Sequence, residues 1–126
     1  MPGLFLRVLL TASTIMIATS GIADAQAVTK FDGTYNGVSN TASGGNRACV
    51  PAIPVPRPMT IKNGAAQWAA GMTGDILFQG TVTADGGLTA KGSNAATFSG
   101  RIDGSGRITG GGNGGGSCTI TSVWQK

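Results

Sequence analysis

The sequence contains no histidine and no glutamate. Without histidine it lacks the side chain that titrates near neutrality unaided, and with it the usual base behind a serine or cysteine nucleophile. A Ser-Lys pair stays open in principle, yet nothing singles one out. Two cysteines and no histidine are too few donors for a four-ligand zinc site. A calcium loop needs acidic residues at alternating positions, and the aspartates are dispersed one by one. No catalytic residue, metal ligand or cofactor is therefore expected. Leucine and glutamine are scarce as well, so a helical domain cannot be built from this composition.

The N-terminal part reads as an export signal. Arg7 precedes an apolar run over residues 8–18, and small residues lead into Ala23-Asp24-Ala25-Gln26-Ala27. That run of 11 residues is too short to cross a hydrocarbon core of about 30 Å as a helix, and no second apolar stretch follows. Residues 1–27 are expected to be cleaved after Ala25 or Ala27, leaving residues 28–126 as a single β domain without a transmembrane segment. The location is then periplasmic or secreted. In such an oxidising compartment Cys49 and Cys118 are expected to form a structural disulfide. It would close a loop of about 70 residues and contribute roughly 4 kcal/mol on the chain-entropy view.

Residues 28–126 carry Lys30, Arg47, Arg57, Lys62, Lys91, Arg101, Arg107 and Lys126 against Asp32, Asp75, Asp85 and Asp103, a net charge of +4. These cations are scattered, with no run and no aromatic interleaving of the kind single-stranded nucleic acid binding uses. No nucleic acid partner is expected, and the charge reads as solubility.

What the chain does have is glycine, 22 residues of it, and short segments of alternating apolar and polar residues between Asn-Gly, Asp-Gly and Gly-x-Gly turns. That pattern predicts β-hairpins. An internal repeat makes the case strongest. Phe78-x-Gly80-x-Val82, a turn at Asp85-Gly86 and Leu88-Thr89 recur, offset by 20 residues, as Phe98-x-Gly100-x-Ile102, a turn at Gly104-Ser105-Gly106 and Ile108-Thr109. Apolar residues two apart share one face of a strand, so each unit is a hairpin with one apolar and one polar face. A shorter hairpin follows from Met59 and Ile61, a type I′ turn at Asn63-Gly64, then Ala66 and Trp68. Residues 34–39, with Tyr35 and Val38 as apolar candidates, form a first strand. A last strand runs over residues 118–124, with Cys118, Ile120, Ser122 and Trp124 on one face.

The fold class is thus all-β, an antiparallel meander of about eight strands. It either closes into a barrel or folds over as a sandwich, and a barrel is preferred because closure removes two exposed edges. The proline-rich stretch over residues 51–58 is expected to be an extended connector rather than a polyproline ligand. The glycine run over residues 110–116 is expected to be a flexible hairpin loop, since no strand, helix or lysine makes it a phosphate cradle. Asp32, Asp85 and Asp103 each precede a glycine and are expected to cap turns, and Asp75 looks the same. The large aromatics Phe31, Tyr35, Phe78, Phe98 and Trp124 are expected in the core. Trp68, among small neighbours in Ala65-Ala66-Gln67-Trp68-Ala69-Ala70, either fills the interior or lines a mouth.

The opening Phe31-Asp32-Gly33-Thr34-Tyr35-x-Gly37, Cys49, the Asn63-Gly64 turn, the glycine-rich hairpins and the ending Cys118-Thr119-Ile120 through Trp124-Gln125-Lys126 resemble a group of small exported glycine-rich β-proteins of Gram-negative bacteria. The resemblance implies export, β-structure and this frame of turns and termini, and it carries over no activity and no functional residue. The leading expectation is a non-enzymatic, monomeric exported domain that binds a small apolar ligand inside the barrel or a protein on its rim. The alternatives are a structural or stress-related envelope protein without a ligand and, more remotely, a hydrolase using paired aspartates. An outer-membrane barrel is disfavoured by short strands bearing Thr, Lys and Arg outward. Interior volume separates the first two, because a cavity beside Trp68 favours binding and a filled barrel does not.

Overall fold

The alternation along each segment dictates which residues turn inward, and the strands close on themselves accordingly. The computed structural model describes residues 28–44, 51, 53–113 and 118–126. Its strands run in chain order: β1 (Gly33–Ser43), β2 (Met59–Lys62), β3 (Ala65–Ala70), β4 (Ile76–Val82), β5 (Gly87–Gly92), β6 (Thr97–Ile102), β7 (Arg107–Asn113) and β8 (Thr119–Gln125). Each pairs antiparallel with the next, and β1 pairs with β8 over residues from Asn36↔Gln125 to Ser43↔Thr119. The sheet is a closed eight-stranded barrel, which excludes the sandwich alternative and leaves no free edge. Among the described residues no helix is long and apolar enough to cross a membrane.

The repeat is reproduced in register. Val82 pairs with Leu88 and Phe78 with Gly92, while Ile102 pairs with Ile108 and Phe98 with Gly112, each pair offset by 20 residues. Leu88 and Ile108 are fully buried, Val82 and Ile102 nearly so, and Arg101 and Arg107 lie exposed on the outer face. Met59, Ile61, Ala66 and Tyr35 complete the lower core, and Trp124 continues it to the aromatic rings above. Burying one such large apolar side chain is worth about 1.5–3 kcal/mol. The Asn63-Gly64 turn has positive φ at both residues, 51° and 75°, as a type I′ turn requires.

Two strand boundaries need correction. The first strand does not stop near residue 39 but continues to Ser43, with a β-bulge between Gly37 and Ser39 where its pairing shifts. The extra residue leaves Val38 43% exposed, outside the core, and reverses the inward parity. Tyr35 and Asn40, an odd and an even position, consequently both meet the interior. The glycine run is not all loop either, because residues 110–113 are the end of β7 and pair with β6 and β8. Gly110 is there to admit a ring: a Cβ at this position would come within 2.3 Å of Phe98 Cζ and 2.7 Å of the Gly100 Cα. Residues 114–117 lie outside the described residues, as do the signal segment over residues 1–27 and Cys49.

One end of the barrel is stopped. Residues 28–31 make a single helical turn that brings Phe31, 9% exposed, against the lower core. Tyr35 Oη donates to the Phe31 carbonyl at 2.6 Å, and Lys126 Nζ donates to the Asp32 carbonyl at 2.6 Å. Asp32 does not cap its own turn as expected. Its carboxylate accepts from Asn63 N at 2.9 Å and ties the N-terminal segment to the β2–β3 turn.

A candidate ligand site at the barrel mouth

The opposite end is spanned on one side by the proline-rich segment. Proline fixes it as extended chain, and it lies against β1: Asn40 N donates to the Pro54 carbonyl at 2.9 Å and Asn40 Nδ2 to the Ile53 carbonyl at 3.1 Å. Gly37 permits this approach, since a Cβ there would come within 1.8 Å of the Pro56 carbonyl oxygen. The segment is more than the connector expected from sequence. It buries Pro56 and delivers Arg57 to the mouth.

Arg57 is held on two sides. Its carbonyl accepts from Trp124 Nε1 at 2.9 Å, and its Nη2 donates to the carbonyls of Met72 at 2.8 Å and Gly71 at 3.5 Å. The Arg57 Nε–H is buried without a hydrogen-bond partner. Leaving a buried donor unsatisfied costs about 1–3 kcal/mol. Asp75, the carboxylate of the same turn, is exposed and makes no ion pair with it.

Beneath the segment lies an aromatic floor centred on Trp68, which is 5% exposed. Phe78 stacks on it at 4.9 Å with the planes 5° apart, while Phe98 and Trp124 meet it edge-on at 5.1 Å and 5.4 Å. Phe98 and Trp124 also meet each other at 5.6 Å, so the rings form one cluster. The two open readings of Trp68 both hold: it packs into the core and its ring borders a cavity. Phe78 is half-buried at this border rather than equivalent to the buried Phe98, because the barrel opens above it.

The cavity has a volume of about 440 Å³, within the range usual for small-molecule sites. Trp68, Phe78 and Phe98 form its floor, and Ala70, Ile76 and Ile120 contribute apolar wall. Polar atoms come from Asn94 and Asn113 and from a pair on adjoining strands, where Ser122 Oγ donates to Asn40 Oδ1. Arg57 is the one charged residue among the described lining residues. Sequence reasoning missed Arg57, Asn40 and Ser122 as site residues: an arginine after prolines reads as solvated, and the bulge that turns Asn40 inward leaves no periodic trace.

A second cavity of about 420 Å³ lies at the stopped end, between Phe31, Tyr35 and the turns at Asp85 and Asp103. Its lysines are engaged with rings, Lys30 Nζ at 5.0 Å from the Phe31 centroid and Lys126 Nζ at 5.7 Å from that of Tyr35. Burial, and secondarily the Asp32 charge, raise the Tyr35 phenol above its ordinary value.

Asp85 and Asp103 serve their turns as expected. Asp103 accepts from Ser105 Oγ at 2.7 Å, Ser105 N at 2.9 Å and Arg107 N at 3.0 Å. Asp85 accepts from Thr83 Oγ1 and from Gly87 N. The Thr83 hydroxyl and the Gly87 amide hold Asp85 below the usual carboxylate range, and the Ser105 hydroxyl and Arg107 amide do the same for Asp103. Both residues border the second cavity, each with its carboxylate engaged by its own turn. Cys118, immediately before β8, is buried.

No family model matches this chain, and no curated protein or solved structure matches it either. The cavity itself must carry the functional reading. An enclosed apolar floor, a few polar atoms at the rim and one cation can bind and orient a small molecule.

Proposed function

We propose that this chain is an exported, non-enzymatic β-barrel that binds a small apolar ligand in the mouth beside Trp68. The observation that carries the reading is the 440 Å³ cavity floored by Trp68, Phe78 and Phe98, a packed aromatic surface, whereas the rings of the second cavity lie under Lys30 and Lys126. The non-enzymatic part is supported by the absence of histidine and glutamate and by aspartates committed to turns. Export through cleavage after Ala25 or Ala27 and a Cys49–Cys118 disulfide belong to the same proposal. They are motivated by the signal-like N-terminal segment and by the two cysteines of the chain. Fluorescence titration with N-phenyl-1-naphthylamine, a neutral apolar probe, tests the binding. Saturable enhancement at micromolar probe, abolished by Ala70→Trp at the cavity wall, is the expected result. Absence of saturable binding by the folded wild type would overturn it.

A further inference from the structure

We propose that the ligand of this cavity is a monoanion, a flat apolar body with one carboxylate or sulfonate that Arg57 holds. This rests on the binding reading above and specifies its chemistry. The floor asks for a flat body, because Phe78 and Trp68 are stacked nearly parallel, 5° apart, and Phe98 and Trp124 meet Trp68 edge-on. The mouth asks for negative charge. Among the described lining residues there is one cation, Arg57, and no carboxylate, and the guanidinium spends Nη2 on neutral backbone carbonyls rather than on an acid. Its Nε is buried against Gly74, where a Cβ would come within 3.1 Å of it, so the turn it grips fixes the guanidinium in place. A guanidinium so held binds a carboxylate or sulfonate with a charge-assisted bond at little further ordering cost. Asn94 and Asn113, uncharged amides on the same rim, supply donors without competing charge.

The test compares two probes of nearly the same shape, 1-anilinonaphthalene-8-sulfonate and neutral N-phenyl-1-naphthylamine. The wild-type protein should bind the sulfonate about tenfold or more tightly than the neutral probe, as a charge-assisted hydrogen bond in a partly desolvated site provides. Arg57→Met should remove that preference, read as the ratio of the two probe affinities within the same folded variant. Arg101→Gln, on the outer face, should leave the ratio unchanged. Because Arg57 also braces the 71–74 turn, the wild-type Arg57 Nε–H resonance gives an independent reading: it should move on adding the sulfonate and stay on adding the neutral probe. Equal binding of the two probes, a sulfonate preference that survives in folded Arg57→Met, or an unmoved Nε–H resonance would overturn the anion assignment alone. Failure of both probes to bind would instead overturn the binding reading on which it rests.

Discussion

Replacing Gly110 by alanine separates the barrel from the flexible loop that the glycine run suggests. In a loop with ordinary φ, Gly→Ala stabilises by about 0.4–1 kcal/mol, because it restricts the unfolded chain. In β7 the added Cβ would lie 2.3 Å from Phe98 Cζ and 2.7 Å from the Gly100 Cα, so the ring must leave its place or β6 and β7 must part. Overpacking of this kind costs about 1–3 kcal/mol, and the unfolded-state gain offsets only part, leaving a net loss of roughly 1–2 kcal/mol. With a urea m-value of about 1–3 kcal/mol/M, the midpoint should fall by roughly 0.3–2 M. The change should couple to Phe98: in a Phe98→Ala background the alanine should cost at least about 0.5 kcal/mol less, because the clashing ring is gone. Urea melts of the four proteins of this cycle decide it. A raised midpoint for Gly110→Ala, or strict additivity with Phe98→Ala, would refute the account of why glycine stands there.

Phe98→Ala should cost about 3–5 kcal/mol, Phe78→Ala clearly less since that ring is half-buried, and Arg101→Gln under about 1 kcal/mol because its ion pair with Asp85 is exposed; denaturant melts give the order. Asp85 and Asp103 have lowered folded-state pKa values, so their contribution to stability is present above the ordinary carboxylate pKa of about 4 and is lost as pH falls through the lower folded values. Melts between about pH 5 and 2 should therefore show a flatter decline in Asp85→Asn/Asp103→Asn than in wild type. Reduction of the proposed Cys49–Cys118 bridge should lower stability by a few kcal/mol, and two reactive thiols in the native exported protein would refute that pairing.

Much of the fold is legible in the chain. Period-two alternation with Asn-Gly and Asp-Gly turns gives the hairpins, and the 20-residue repeat gives their registers, from Val82↔Leu88 to Ile102↔Ile108. What is not legible depends on partners distant in sequence. Closure itself is the arrangement the sequence favours, but the register of β1 on β8, and with it the bulge at Val38 that turns Asn40 inward, is set by that long-range pairing. The glycines of β7 look like a loop until the Phe98 ring is placed over them, because a missing side chain announces flexibility and close approach alike. The site was half visible. Trp68 stood out by its small neighbours, whereas Arg57 becomes a site residue only once the proline segment is laid across the mouth and Trp124 Nε1 fixes its carbonyl.

The central claim is that a small apolar ligand enters beside Trp68, and a nitrogen–proton correlation spectrum recorded during titration with 1-naphthol tests it most directly. The Trp68 indole and the amides of Ala70, Ala96 and Ser122 should shift saturably, while Gly104, Gly106 and Lys126 at the stopped end stay in place. No saturable shift at the mouth, or shifts confined to the stopped end, would contradict it.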